Sequence, residues 1–204
     1  MLVQVVLFDG FDPLDVVAPY EILGTAMTAE LVSAEGPRDV PSGNGLLSLR
    51  AVSRLDPTSA DIVVVPGALG PLPDGIPTIL AATLSTPLPA LLAEAMSRPE
   101  CTVATVCGGS MILGMAGLIE GRHATTHRLG LDALAANGVQ VVGTRVVDDG
   151  DLVSSSSVTC GIDLALYLLE RELGPEVALE TERMIAHERR GTVWRAAWEL
   201  SRRG

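Results

Sequence analysis

Aromatic residues are scarce: two each of Phe, Trp and Tyr make up 3% of the 204 residues, so any core must be aliphatic. Cysteine is equally sparse, with Cys101, Cys107 and Cys160 as the whole set. Three cannot supply a disulfide framework, and neither a Cys-x-x-Cys nor a His/Cys spacing marks a zinc site. The thiols are therefore expected to be reduced and the chain cytoplasmic. Basic residues are outnumbered, 14 Lys+Arg against 25 Asp+Glu, for a formal net charge of −11. Nucleic acid is excluded as an expected partner, because phosphate binding rests on clustered cations. The same deficit argues against an anionic membrane surface. Met1–Phe8 carries no basic residue and runs straight into Asp9, unlike an export signal. Gly, Pro or charge interrupts every apolar run before the roughly 20 residues that a bilayer requires.

What the sequence has is aliphatic material. At 48% hydrophobic residues it can bury a sizeable core in one domain spanning residues 1–204, and it is too apolar for a disordered chain. The apolar residues fall into short β-branched runs that read as strands covered on both faces: Leu2–Phe8, Ile62–Val65 and Thr102–Val106. Helical patterns occupy Asp15–Thr25, Leu88–Met96, Met111–Ala116, Ile162–Leu169 (closed by Gly174-Pro175) and Glu176 to about Glu188. The proline-rich start of Pro66–Pro99 reads as a fixed loop over the carboxyl end of the sheet. Gln140–Val142 and Arg145–Val147, ahead of an Asp148-Asp149-Gly150-Asp151 turn, predict a hairpin. Strands alternating with helices imply an α/β fold with a mostly parallel sheet between two helical layers.

Cys107 is the sharpest chemical feature. A buried strand ends at it, Gly108 and Gly109 follow, and a helix begins, which is the layout of a nucleophile elbow. The two glycines permit close approach of neighbouring chains, and a helix N-terminus beside the sulfur is expected to lower its pKa. A buried structural cysteine is the competing reading. Asp15 follows the first strand and so lies at the same sheet edge, either as a functional carboxyl or as a helix cap. Asp9 and Asp12 read as turn residues. Cys101 reads as core, and Cys160 as a small buried filler or a second site thiol. Trp194 and Trp198, with Arg195, Arg202 and Arg203, form an amphipathic tail expected to dock on its own domain or on a second subunit.

Several stretches together resemble the DJ-1/PfpI superfamily. Leu14-Asp15-Val16-Val17-Ala18-Pro19-Tyr20-Glu21 is similar to its first motif, and Val64-Val65-Pro66-Gly67 to its strand-to-loop element. Val106-Cys107-Gly108-Gly109-Ser110, the run from Leu113 to Ala124-Thr125-Thr126-His127, and Val158-Thr159-Cys160-Gly161-Ile162-Asp163 resemble its elbow and later signatures. The aspartate at position 15 points to the isonitrile hydratase-like branch. The sequence departs from that branch at Gly108, Ala18, Ser156-Ser157, Cys160 and Arg128. The resemblance implies a flavodoxin-like three-layer sandwich, glutamine amidotransferase-like in its elbow, that forms a homodimer. It also implies hydration of a small electrophilic isonitrile to an N-substituted formamide, with no metal or organic cofactor. Cys107 would be nucleophile and Asp15 general acid/base. Gly67, Ala68 and Gly108 would supply oxyanion amides, and His127 and Cys160 would line the pocket. His123 and His187 are expected at the surface or an interface. A non-catalytic ligand sensor and a DJ-1-type glyoxalase or redox-responsive protein are the competing functions.

Overall fold

In the computed structural model, which describes residues 1–196, the chain begins β1 (Leu2–Leu7), α1 (Pro13–Leu23), β2 (Thr28–Ser33), β3 (Arg38–Pro41), β4 (Ser48–Ala51), β5 (Ser53–Arg54) and β6 (Ile62–Val65). It continues through α2 (Gly75–Thr83), α3 (Leu88–Met96), β7 (Thr102–Val106), α4 (Gly109–Met115), β8 (His123–Ala124), α5 (Leu131–Ala136) and β9 (Gln140–Val141). β10 (Val146–Asp148), β11 (Leu152–Ser155), α6 (Cys160–Leu173), α7 (Pro175–Ile185) and β12 (Trp194–Arg195) complete it.

Eight strands form one sheet in the order β12-β10-β11-β7-β6-β1-β2-β5, and only the β10–β11 pairing is antiparallel. Helices α1, α6 and α7 pack together on one side, and α2 to α5 on the other. This is the three-layer, flavodoxin-like α/β arrangement. All four residues of β6 are fully buried, as a central strand covered on both faces requires. Each such aliphatic side chain contributes about 1.5–3 kcal/mol through its removal from water.

Two local expectations fail. Gln140–Val141 does not join the hairpin but pairs in parallel with His123–Ala124. The hairpin partner of β10 is β11, whose Ser154 and Ser155 conceal a fully buried strand. Its hydroxyls are satisfied internally: Ser154 Oγ accepts from Thr125 N at 2.9 Å, and Ser155 Oγ donates to the Thr105 carbonyl at 3.2 Å. The proline-rich stretch contains α2, because Pro71 and Pro73 precede that helix and Pro77 lies within its first turn, where proline is tolerated.

The tail docks on its own chain as far as Trp194 and Arg195, through β12. Trp194 lies against the His123 ring at 4.7 Å between centroids, and Arg195 sits 5.3 Å over Tyr167. Trp198, Arg202 and Arg203 lie outside the described residues. His187 is an intramolecular anchor, 3.1 Å from Asp163 Oδ1, and His123 Nδ1 lies 3.2 Å from Asp149 Oδ1. No single helix among the described residues is long and apolar enough to cross a membrane.

Candidate active site

β7, β6 and β1 are adjacent and parallel, so their carboxyl ends emerge side by side. The loops that follow bring Cys107, Gly67 and Asp15 to one point. Cys107 occupies the left-handed region at φ 54°, which costs a non-glycine residue of order 1–3 kcal/mol. Two hydrogen bonds hold it there. Its N–H donates to the Ser155 carbonyl at 3.0 Å, and its own carbonyl accepts from Thr126 Oγ1 at 2.8 Å.

The glycines divide by role. A Cβ at Gly109 would stand 2.2 Å from the Val65 carbonyl oxygen, and one at Gly67 would stand 2.5 Å from Gly108 N and 2.8 Å from Asp15 Oδ2. A Cβ at Gly108 would meet nothing nearer than Gly67 Cα at 3.5 Å, with Leu80 of α2 next at 3.6 Å. Close packing therefore requires Gly67 and Gly109, whereas Gly108 is not needed for it.

Asp15 is fully buried in the first turn of α1. It is not the cap. Asp12 takes that role, accepting from Leu14 N at 3.0 Å, while exposed Asp9 pairs with Arg38 at 2.7 Å. Asp15 Oδ2 accepts from Gly67 N at 3.0 Å, and Oδ1 has no hydrogen-bond partner among the described residues. Burial, then the charge of Asp12, raises the Asp15 pKa from 3.8 to about 7, opposed by the Gly67 amide and by Cys107. Asp15 and Cys107 act directly on each other's proton affinity, Cys107 lowering that of Asp15 and Asp15 raising that of Cys107.

Cys107 is 7% exposed. Burial first, then the neighbouring Asp15, pushes its pKa well above the ordinary thiol range. The expected lowering by a helix N-terminus is overturned. α4 has only seven residues, and the lowering contributed by the Gly108 amide does not outweigh desolvation. Above pH ~7 the pair holds one proton, on sulfur, facing a carboxylate.

The remaining expected residues divide between site and scaffold. The Gly67 amide is committed to Asp15. The bridge between Phe11 and Ala68 runs through Asp12 N to Gly67 O and Leu69 N to Gly10 O, leaving the Ala68 amide out of it. Ala68 is buried, and the Gly108 amide nitrogen lies 2.5 Å from where a Cβ on Gly67 would stand. His127 is turned to its own loop, its Nδ1 accepting from Leu129 N at 3.3 Å, and it makes no hydrogen bond to Cys107. Cys160 opens α6, 1% exposed, with its sulfur 3.1 Å from Ser156 Oγ. Cys101 is buried, its thiol pKa pushed up to about 11 by desolvation. Among the described residues no group of three or more His, Cys, Asp or Glu is arranged to hold a metal ion. Sequence reasoning missed Thr126 and Ser155. Ser155 acts through its backbone carbonyl, which no spacing marks, and Thr126 through a side-chain hydroxyl that reaches the Cys107 carbonyl 19 residues away.

A family profile described as the DJ-1/PfpI family matches residues 1–171, and the chain belongs to that family. The chain is 32% identical over 175 residues to an isonitrile hydratase of Pseudomonas putida, covering 84% of this chain and 72% of that protein. It is also 33% identical over 121 residues to the HTH-type transcriptional regulator CdhR of Pseudomonas aeruginosa, 56% of this chain but only 36% of the regulator. A crystal structure of a ThiJ/PfpI family protein from Pseudomonas syringae aligns with a TM-score of 0.79 at 25% identity, over 93% of this chain and 76% of that one.

Proposed function

We propose that the protein is a cofactor-independent Cys/Asp enzyme that adds water to an isonitrile to give an N-substituted formamide. One observation carries the reading: a fully buried carboxyl, poised near neutrality by its surroundings, faces a buried thiol at the end of the central strand. The similarity to a Pseudomonas putida isonitrile hydratase favours this chemistry over others available to the same pair.

The terminal carbon of an isonitrile accepts a soft sulfur nucleophile. As the S–C bond forms, the Cys107 proton passes to Asp15, whose unpartnered Oδ1 is the receiving atom because Oδ2 is engaged by Gly67. Asp15 returns that proton to the carbon, giving a thioformimidate on Cys107. Water then adds to this carbon, with its proton passing through Asp15 to nitrogen. Cleavage of the C–S bond releases the formamide as the hydroxyl proton returns to sulfur. The Ala68 and Gly108 amides meet the charge that develops during these steps.

The same reading takes residues 1–204 as one cytoplasmic domain that acts on a small electrophile as a homodimer. Support for the dimer comes from α1, whose Leu14, Val17 and Tyr20, three residues apart, are 43%, 38% and 37% exposed on the helix that carries Asp15. The similarity to a regulator supports a second reading, a sensor that binds without turnover. A redox role is disfavoured because thiol oxidation follows thiolate character and exposure, and Cys107 has little of either.

The test is incubation of the protein with a simple alkyl isonitrile in [18O]water, with Cys107→Ala as blank. One labelled oxygen in the formamide is expected from wild type alone. Binding without product would identify the sensor, and consumption of methylglyoxal instead would identify the glyoxalase. The kcat/KM profile should rise through pH ~7, because protonation of Asp15 removes the acceptor for the thiol proton. A profile flat between pH 5.5 and 8.5 would remove Asp15 from the proton transfer.

A further inference from the structure

Gly108 is a glycine that neither backbone geometry nor packing explains. Its φ is −70°, open to any L-residue. An added Cβ would stand 3.5 Å from Gly67 Cα, 3.6 Å from Leu80 Cδ1 and 3.7 Å from Ala68 N, all ordinary contact distances. The position does not cap α4 either, since it supplies no side-chain hydrogen bond, as Ser, Thr or Asp could. Glycine also loses more conformational freedom on folding than any other residue. What it leaves is a space the size of one methyl group, walled by Leu80 of α2 and the Gly67–Ala68 peptide, all of them buried.

The chain itself places this space beside the chemistry. Consecutive α-carbons are about 3.8 Å apart, so the space lies within roughly 5 Å of the α-carbon that carries the Cys107 thiol. The carboxyl borders the same turn: the point where a Cβ on Gly67 would stand is 2.5 Å from Gly108 N and 2.8 Å from Asp15 Oδ2. None of the three atoms nearest the space carries charge, and the one from α2 is a methyl. Such walls suit a hydrocarbon branch.

We propose that Gly108 is a specificity-determining residue, its missing side chain and Leu80 together forming a methyl-sized niche for the branch of the group that bonds to the Cys107 sulfur. In the reaction proposed above, the favoured substrates are isonitriles branched at the carbon attached to nitrogen, isopropyl over ethyl. The inference deepens that reading and rests on its assignment of Cys107 as the nucleophile, but not on the isonitrile.

The probes are isobutyl and propyl methanethiosulfonate, each of which transfers its alkylthio group to the Cys107 sulfur and releases methanesulfinate. The isobutyl branch then lies at the third atom from that sulfur, as the branch of isopropyl isonitrile does in the thioformimidate. Rates are read on Cys107, resolved from Cys101 and Cys160 by peptide mass, and expressed as the isobutyl-to-propyl ratio, which cancels any change in thiol ionisation. One methyl in an apolar pocket is worth roughly 10- to 200-fold, so Gly108→Ala should lower the ratio at least tenfold. Leu80→Val removes the Cδ1 that walls the niche. Combined with Gly108→Ala, it should bring the ratio back to within about threefold of wild type. A ratio in Gly108→Ala within about twofold of wild type overturns the proposal. So does failure of that variant to fold by circular dichroism, since the methyl would then have no room. A lowered ratio that persists in the folded double variant overturns it too. If the double variant does not fold, Leu80→Val alone decides: a ratio above wild type supports the niche, and an equal or lower one overturns it. Wild-type protein inactive on both ethyl and isopropyl isonitrile would sink the hydratase reading and leave the thiol ratios to decide the niche.

Discussion

Asp15→Asn is expected to lower kcat/KM for isonitrile hydration by about 10²- to 10⁴-fold, the usual effect of losing a positioned general acid/base. The same substitution should make the protein more stable at pH 8. The Asp15 pKa is raised from 3.8 to about 7 in the folded chain, first by burial and then by Asp12. A group raised on folding contributes stability that is complete below its unfolded pKa and is lost as pH climbs through the folded one. Between pH ~4 and ~8 the wild-type protein thus gives up on the order of 4 kcal/mol to keep this carboxyl in place. Asparagine still offers an oxygen to the Gly67 amide and has no charge to desolvate. Thermal melts should show the variant higher by roughly 5–15 °C at pH 8, with the difference vanishing toward pH 4.5. Equal or lower stability at pH 8 would mean that the carboxylate is better solvated than its burial implies. Retained turnover would sink its role in proton transfer.

The second large effect separates three glycines that meet at the site, Gly67 on the loop after β6 and Gly108 and Gly109 in the elbow after β7. Gly109→Ala forces a methyl to within 2.2 Å of the Val65 carbonyl, an oxygen fixed in the central strand. Relief requires the whole of α4 to shift, and a loss of about 3 kcal/mol is expected in urea unfolding. Gly67→Ala wedges a methyl between Gly108 N and Asp15 Oδ2. The carboxyl and the elbow are driven apart, and displacement near 1 Å lowers kcat/KM by about 100-fold. Gly108→Ala, by contrast, has ordinary contacts and a helical φ of −70°, so it should stay within about 1 kcal/mol of wild type. Equal damage from all three would show that the site is intolerant for some reason other than these contacts.

Much of the scaffold is legible in local pattern, and the failures share a cause. Ile62–Val65 and Thr102–Val106 announce themselves because a central parallel strand needs apolar side chains on both faces. Leu152–Ser155 does not, because its serines are buried only by bonding to Thr125 N and the Thr105 carbonyl, groups distant along the chain. At the site, the place of Asp15 and Cys107 after strands of a parallel sheet implied that they share its carboxyl edge. The role of Asp12 as the cap was invisible, since either acid fits the pattern at the start of α1.

The sequence by itself determined the alternation of elements, the elbow at Cys107 and the presence of an acid just after the first strand, because these follow from periodicity and from which residues a tight turn admits. Only the tertiary structure decided that Asp15 is buried and holds its proton near neutrality, that the Cys107 pKa is raised rather than lowered, and that Gly67 is needed where Gly108 is not. Each of these depends on how much water surrounds a group and which distant atom stands beside it, and both are properties of packing between segments that no local pattern contains.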